Sequence, residues 1–160
     1  MLGRCHQGVS SYPVTIPGPV GVLEGRVDCT ASGEPQGCAV ICHPHPLYGG
    51  SMHNKVAHTL AKSFADCNYT AVRFNFRGIG GSAGSYDEGI GETDDAMAVV
   101  DWVMKQQADM PVILAGFSFG SFVAFKAATK TQTKALITVA PPVRMFDFEN
   151  LQAIDCPWLL

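Results

Sequence analysis

Short apolar runs rich in β-branched residues alternate with stretches of helical periodicity along this chain, and no other feature limits its fold as much. Residues 38–42 are apolar without interruption, as a central parallel strand buried on both faces is. Residues 54–67 carry apolar side chains at the i, i+3, i+4 and i+7 positions of an amphipathic helix. The alternation continues with predicted strands at 70–76, 111–115 and 134–139, a helix capped by Thr93 or Asp94, and a helix at 119–129. Parallel strands joined by helices form right-handed crossover units, so the sequence predicts an α/β fold, a mostly parallel sheet with helices on both faces.

Length and composition set the size of the domain and exclude some partners. The 160 residues, 47% hydrophobic and 16% charged, predict one globular domain over residues 1–160 with a core of its own. The net charge of −3 lacks the basic excess that binding to nucleic acid or to acidic membranes requires. No apolar run approaches the roughly 20 residues of a membrane-spanning helix. We therefore expect neither a nucleic-acid nor a membrane partner.

The cysteines form no recognisable disulfide or metal pattern. They are Cys5, Cys29, Cys38, Cys42, Cys67 and Cys156. No C-x-x-C pair occurs, and two of them lie inside the apolar run 38–42 as small buried side chains. Residues 1–11 include charged and polar side chains where a secretory signal is apolar, so no export signal is expected. The sequence thus predicts free thiols and a cytoplasmic location.

The pattern G-x-S-x-G occurs twice, around Ser82 and around Ser118. In a nucleophile elbow a strand turns sharply into a helix, and glycines two residues either side of the serine allow the strained backbone and the close packing. Ser118 has this context, because the apolar run 112–115 leads into the motif and helix 119–129 leaves it. Ser82 is followed by polar and glycine residues typical of a loop. The pattern predicts an activated nucleophile at Ser118, the alternative being a buried serine that caps the helix.

Gly78, Gly80 and Ala83 match the dinucleotide-binding pattern G-x-G-x-x-[GA]. Such a site needs a helix that begins on the glycines, so that its N–H groups face the pyrophosphate. Here a stretch of loop-like residues separates the glycines from the next helical pattern. No nucleotide cofactor is expected, and a nucleotide-dependent reductase is a remote alternative.

The segment H-P-H-P-L-Y-G-G at 43–50 follows the buried strand and precedes the first helix. A metal site built on His43 and His45 would normally include a carboxylate or a further histidine at a defined spacing. No Asp or Glu lies between Glu34 and Asp66. The sequence therefore predicts no metal at this loop.

An oxyanion hole is the alternative role for this loop. In serine hydrolases with this order of strands and helices, one backbone N–H comes from the residue after the nucleophile and the second from the loop at this position. Pro44 and Pro46 have no N–H and cannot donate. The remaining donors are those of His45, Leu47, Tyr48 and the glycines.

Three segments occur in a characteristic order: the H-P-H-P-L-Y-G-G loop, R-G-I-G-G-S after the next strand and G-F-S-F-G after the third. With these segments the chain resembles the α/β-hydrolase superfamily over nearly its whole length. The first loop is most similar to that of small bacterial serine hydrolases related to dienelactone hydrolase. The resemblance implies Ser118 as nucleophile, the backbone N–H groups of Phe119 and Leu47 as oxyanion hole, and a structural role for Arg77 and the 78–84 loop. It further implies hydrolysis of a carboxylic ester or related small-molecule acyl compound, with no cofactor.

The order of the histidines departs from that family pattern, in which an acid and then a histidine follow the nucleophile. All five histidines precede Ser118, and residues 156–160 look like the opening of the strand that usually precedes the acid. We therefore expect the acid and histidine beyond Leu160, and a fold without its C-terminal strands. Asp147 as a variant acid, and His45 as a base approaching from the oxyanion loop, are alternatives. A catalytically inactive relative that acts as a binding or interaction protein is the alternative function.

Overall fold

The computed structural model describes residues 10–30 and 33–160, which form one mixed sheet with helices on its two faces. The strands are β1 (Ser11–Gly18), β2 (Gly21–Asp28), β3 (Cys38–Cys42), β4 (Thr70–Phe74), β5 (Val112–Phe117), β6 (Ala135–Val139) and β7 (Trp158–Leu159). The helices are α1 (Lys55–Asp66), α2 (Ile90–Gln106) and α3 (Phe119–Ala128), with a short 3₁₀ turn at Pro46–Tyr48. The spatial order is β1-β2-β4-β3-β5-β6-β7. The β1–β2 and β2–β4 pairs are antiparallel and all the others parallel.

Alternate residues of the central strands bury opposite faces of the sheet, as the twofold periodicity of a strand requires. On one face Ala39 and Ile41 of β3 pack against Ala57, Ala61 and Phe64 of α1. On the other face the remaining residues of β3 belong to a larger cluster with α2 and α3. The predicted α/β sheet with helices on both faces is therefore confirmed. Within the described residues, no helix combines the length and apolar character needed to cross a bilayer.

Helix α2 begins earlier than the sequence predicts. Its first residue is Ile90, whereas Thr93 lies inside the helix and its hydroxyl donates to the Gly89 carbonyl at 2.6 Å. The backbone that leads into the helix is held by the buried Glu92, whose carboxylate accepts from the N–H groups of Asp87 and Gly89 at 2.8 Å each. A glutamate inside the first turn thus caps the helix, and Gly89 supplies the left-handed turn with φ 84°.

The cysteines agree only in part with the predicted free thiols. Cys38, Cys42, Cys67 and Cys156 are free, and Cys5 lies outside the described residues. Burial raises the pKa of the Cys38 thiol to about 12 and that of Cys42 still further, so both behave as apolar side chains. Cys29 is disulfide-bonded, which corrects the prediction at that position. Proximity in the fold decides such a bond, and spacing along the chain does not report it.

The strand order explains where a site can form. From β3 the chain crosses through α1 to β4 on one side, and from β4 it returns through α2 to β5 on the other side of β3. The loops that leave the carboxyl ends of β3 and β5 therefore separate to opposite faces and open a crevice between them. Cys42 and Gly116 are paired at this edge, which brings the H-P-H-P loop beside the G-F-S-F-G motif.

Candidate active site

Ser118 lies at the sharp turn between β5 and α3. Its backbone has φ 54° and ψ −121°, a positive φ that is rare for a residue with a side chain and costs about 1–3 kcal/mol. The N–H of Ser118 donates to the Val139 carbonyl at 2.9 Å, which ties the turn to β6. The side chain makes no capping hydrogen bond to α3 and is only half-buried. The geometry is that of a strained strand-to-helix turn, and the serine side chain does not cap the helix.

Glycines on either side of Ser118 allow this turn to close. A Cβ placed on Gly116 would collide with the backbone of Gly120, the second residue of α3. A Cβ placed on Gly120 would collide with the carbonyl oxygens of Cys42 and His43 at the end of β3. The first turn of α3 therefore packs directly on the backbone of the neighbouring strand, as the motif predicts.

Gly120→Ala is expected to destabilise the fold by at least about 3 kcal/mol, the upper end of overpacking effects, because backbone atoms meet the added methyl group and cannot rotate away. The matched variant is Gly49→Ala, where nothing lies within 4 Å and only the φ of 78° opposes a side chain. That variant should cost about 1–2 kcal/mol. Urea unfolding of both variants measures the difference, and equal losses would contradict the packing argument.

His43 is a structural residue at the start of the H-P-H-P loop. Its ring is fully buried, Nε2 accepts from the Phe76 N–H at 3.0 Å, and Nδ1 lies 2.7 Å from the Pro44 carbonyl oxygen, to which it donates. Because the Phe76 N–H can only donate, the imidazole is neutral with its proton on Nδ1. Burial lowers the pKa of His43 to about 4, against the opposing effect of the bond to Pro44. The ring joins the loop after β3 to the loop after β4.

This burial predicts that the protein loses stability in mild acid. Since the pKa of His43 in the fold is about 4, well below the usual value near 6.5, the unfolded chain takes up the proton first. The contribution is complete above pH 6.5 and is lost as the pH falls from 6.5 to 4, by about 3 kcal/mol in total. Unfolding free energies at pH 7 and pH 4.5 should differ less in His43→Gln than in the wild type. His58→Gln, at an exposed position on α1, should keep the wild-type difference.

His45 organises the rest of the loop. Its carbonyl oxygen accepts from the N–H groups of Tyr48 and Gly50, at 3.1 and 3.0 Å, and its Nδ1 accepts from the Leu47 N–H at 3.2 Å. The Leu47 N–H, predicted to be an oxyanion donor, is therefore already bound within the loop and would have to leave His45 Nδ1 to meet a substrate. Its role stays a prediction, and the Tyr48 N–H is also bound within the loop, to the His45 carbonyl oxygen.

Tyr86 completes this cluster and was not identified from the sequence. Its hydroxyl lies 3.2 Å from Nε2 of His45. The His45 ring is 4.8 Å from the Phe119 ring and 5.1 Å from that of Tyr86. Three loops, after β3, β4 and β5, thus meet at the residue that follows Ser118. The contacts among His45, Tyr86 and Phe119 join residues that lie 33 to 74 positions apart, so no local sequence pattern predicts them.

Arg77 and residues 78–84, the first part of the loop after β4, have a structural role, as predicted. Ser82 is buried, donates to the Asn75 carbonyl at 2.6 Å and accepts from the Glu24 N–H at 2.9 Å. The Arg77 guanidinium binds the buried Asp95 of α2 at 2.7 Å. No helix begins at the glycines of the G-x-G-x-x-[GA] pattern, because α2 starts only at Ile90. The G-x-S-x-G motif around Ser82 therefore stabilises a turn.

The family model described as serine aminopeptidase, S33 (Hydrolase_4) matches residues 33–154, well over half of the chain. The chain belongs to this family. An α/β serine hydrolase homologue from Coxiella burnetii superposes with a TM-score of 0.89 at 42% identity, covering 96% of this chain and 74% of that one. For an α/β serine hydrolase without a lid from Xanthomonas campestris the TM-score is 0.87 at 41% identity, covering 98% and 72%. The α/β-hydrolase resemblance is confirmed, while the closer likeness to dienelactone hydrolase stays a prediction.

Curated relatives of the family are longer than this chain. The protein RP471 of Rickettsia prowazekii is 38% identical over 146 residues, which are 88% of this chain and 60% of the relative. The lysophosphatidylserine lipase ABHD12 of Gallus gallus is 37% identical over 108 residues, 62% of this chain and 28% of that protein. The chain thus spans about three fifths of the first relative and less than a third of the second.

None of the histidines in the described residues forms a hydrogen bond with Ser118. His43 and His45 have both ring nitrogens engaged elsewhere, and His53 and His58 are exposed around the start of α1. His6 lies outside the described residues. In the part of the chain that the structure covers, no group of three or more metal-binding side chains is found.

Asp147, the alternative acid, closes its own turn in the loop after β6. One carboxylate oxygen accepts from the N–H groups of Glu149 and Asn150, both at 3.1 Å. The Asn150 side chain and these N–H groups lower the pKa of the carboxyl, which is fully exposed. An exposed carboxylate held in this way is a loop cap, and the structure does not bring it to His45 or Ser118.

Proposed function

We propose that the chain carries the nucleophile of a serine hydrolase that cleaves a carboxylic ester. The observation that carries the proposal is the elbow, in which Ser118 holds a strained positive φ between a buried strand and a helix. This turn presents the hydroxyl at the carboxyl edge of the sheet, where the crevice between β3 and β5 opens. The membership of the family supports the reaction class.

In the proposed reaction Ser118 Oγ attacks the acyl carbon while a base takes its proton. The carbonyl oxygen gains negative charge and is held by the N–H of Phe119 and by a donor of the H-P-H-P loop, for which we retain Leu47. Collapse breaks the C–O bond to the alcohol, which leaves with the proton. Water then hydrolyses the acyl-serine by the same steps and frees Ser118.

The base and its acid are proposed to come from sequence beyond residue 160. No histidine follows Ser118 in these 160 residues, and those of the described part are engaged or exposed elsewhere. The solved relatives extend beyond the region that this chain matches, since it covers 72–74% of them. Both facts support a histidine that follows β7 in the full-length protein.

The side chains around the elbow favour an apolar acyl group. Several large apolar side chains that follow the carboxyl ends of β3, β4 and β6 are exposed, namely Leu47, Ile90, Val143 and Met145. The loop after β6 lies against the elbow, because the Phe146 ring is 5.5 Å from that of Phe119 and stacks on Phe122 at 4.6 Å. The lipase named among the relatives also acts on an acyl lipid. We propose that the acyl chain lies along this apolar edge.

Covalent labelling tests the proposal. The full-length protein is treated with a fluorophosphonate, and the modified peptide is identified by mass spectrometry. The adduct should lie on Ser118 and be absent in Ser118→Ala, whereas Ser85→Ala, an exposed serine of the loop after β4, should label as the wild type does. A folded full-length protein that takes no label would instead support an inactive relative that acts by binding.

A further inference from the structure

Two linked hydrogen bonds join the backbone of the H-P-H-P loop, through the His45 ring, to the hydroxyl of Tyr86. The backbone N–H at one end determines which group donates in each bond. The Leu47 N–H can only donate, so Nδ1 of His45, 3.2 Å away, carries no proton. A neutral imidazole with a bare Nδ1 has its proton on Nε2. Nε2 must therefore donate to the Tyr86 oxygen at 3.2 Å. The phenol accepts this bond, and its own proton is left to point elsewhere.

We propose that Tyr86 is a substrate-contacting residue whose hydroxyl donates a hydrogen bond to an oxygen of the acyl substrate. The inference rests on the proposed function and changes one of its donors: the Leu47 N–H stays on Nδ1 of His45, and the Tyr86 hydroxyl takes its role beside the Phe119 N–H. His45 is then a positioning residue, because its tautomer decides whether the phenol donates to substrate or to the imidazole.

The placement of Tyr86 supports a contact with substrate. Its ring is 6.0 Å from that of Phe119, the residue directly after Ser118, and the side chain is half-buried. Among the described residues the hydroxyl has no hydrogen-bond partner other than His45. The Tyr86 hydroxyl therefore lies beside the elbow with a proton that it can donate to a ligand.

The charge states of His45 and Tyr86 agree with a hydrogen bond donated by the imidazole to the phenol. Burial lowers the pKa of His45 more than the charge of Glu92 raises it, so the ring stays neutral near pH 7. Burial, followed by the charges of Glu92 and Glu88, raises the pKa of Tyr86, so its proton is retained. Linked hydrogen bonds polarise one another, and a phenol that accepts from an imidazole N–H is a stronger donor. Such a donor has its largest effect when the substrate oxygen gains negative charge.

The first experiment tests the donor and acceptor roles in these two hydrogen bonds and does not require activity. Nitrogen-15 NMR of the full-length protein labelled at histidine reports which ring nitrogen of each imidazole carries the proton. His45 should show a protonated Nε2 and a bare Nδ1, whereas His43 should show the opposite tautomer, which provides an internal reference. A proton on Nδ1 of His45 would overturn the proposal whatever the activity.

The second experiment compares two tyrosines that both pack against His45. Tyr86→Phe removes the proposed donor, and Tyr48→Phe removes the hydroxyl of a largely exposed ring 4.6 Å from the same imidazole. For p-nitrophenyl acetate, kcat should fall at least about tenfold in Tyr86→Phe with little change in KM, because the donor acts mainly on the developing charge. Tyr48→Phe should stay within about twofold of the wild type.

The outcomes separate this proposal from the proposed function. If Ser118 is labelled and the two tyrosine variants turn over ester equally well, the role of Tyr86 is wrong while the serine hydrolase assignment stands. If the folded wild type neither labels nor turns over ester, both are wrong. A fall in kcat confined to Tyr86→Phe, together with the Nε2-protonated imidazole, supports the donor.

Discussion

Ser118→Ala should lower kcat/KM for p-nitrophenyl acetate by about 10⁴-fold or more in the full-length protein. Without Oγ no acyl-enzyme can form, and what remains is the slow attack of water assisted by the oxyanion donors alone. Removal of the nucleophile of a serine protease triad has an effect of up to about 10⁶-fold on kcat. Steady-state kinetics with the variant, the wild type and Ser85→Ala measure the difference.

The fold of the Ser118→Ala protein should be unchanged, since the Ser118 side chain makes no capping hydrogen bond. The urea midpoint of the variant should therefore match that of the wild type within experimental error. Ester turnover that persists in a folded Ser118→Ala protein would assign the chemistry to another residue. An equal loss in Ser85→Ala would point to damage of the neighbouring loop and not to a missing nucleophile.

Asp95→Ala should destabilise the fold by about 3–5 kcal/mol, which is the cost of leaving one partner of a buried ion pair unpaired. Asp95 is fully buried and accepts from Nη2 of Arg77 at 2.7 Å, from its Nε at 3.0 Å and from its backbone N–H at 3.0 Å. The next carboxylate, that of Asp87, is 3.9 Å from the guanidinium and half exposed. It compensates little of the lost interaction.

Asp94→Ala is the matched variant, since Asp94 is the adjacent residue of α2 and is exposed. Its effect should stay within about 0.5 kcal/mol. Urea unfolding of both variants gives the comparison. A loss shared equally by the two would attribute the effect to helix α2 itself, and a small loss in both would show that the Arg77 guanidinium reaches water when its partner is removed.

The parts of the site that depend on local sequence were predictable. The elbow at Ser118 follows from an apolar strand, two glycines and a helix, and β7 follows from the apolar residues after Cys156. The mostly parallel sheet and its two covered faces follow from the alternation of strands and helices. In each of these cases the pattern and its consequence lie within a few residues of one another.

The parts that depend on contacts between distant loops were not predictable. Tyr86 and Asp95 lie 41 and 18 residues from the partners that give them a role, and nothing near either residue indicates that partner. The start of α2 was placed too late because Glu92 caps the helix from within and not from its N-cap position. The Leu47 N–H was predicted as a donor without knowing that His45 Nδ1 accepts from it.

The loop that carries Tyr86 is anchored at both ends. Arg77 is bound to Asp95 at its beginning, and Glu92 accepts from the N–H groups of Asp87 and Gly89 at its end. The exposed residues between these anchors, such as Ser85 and Glu88, belong neither to the sheet nor to its core. A library of variants at these positions should change substrate selectivity, while the sheet and its helices keep their thermal stability. The anchors mark where such a library should begin and end.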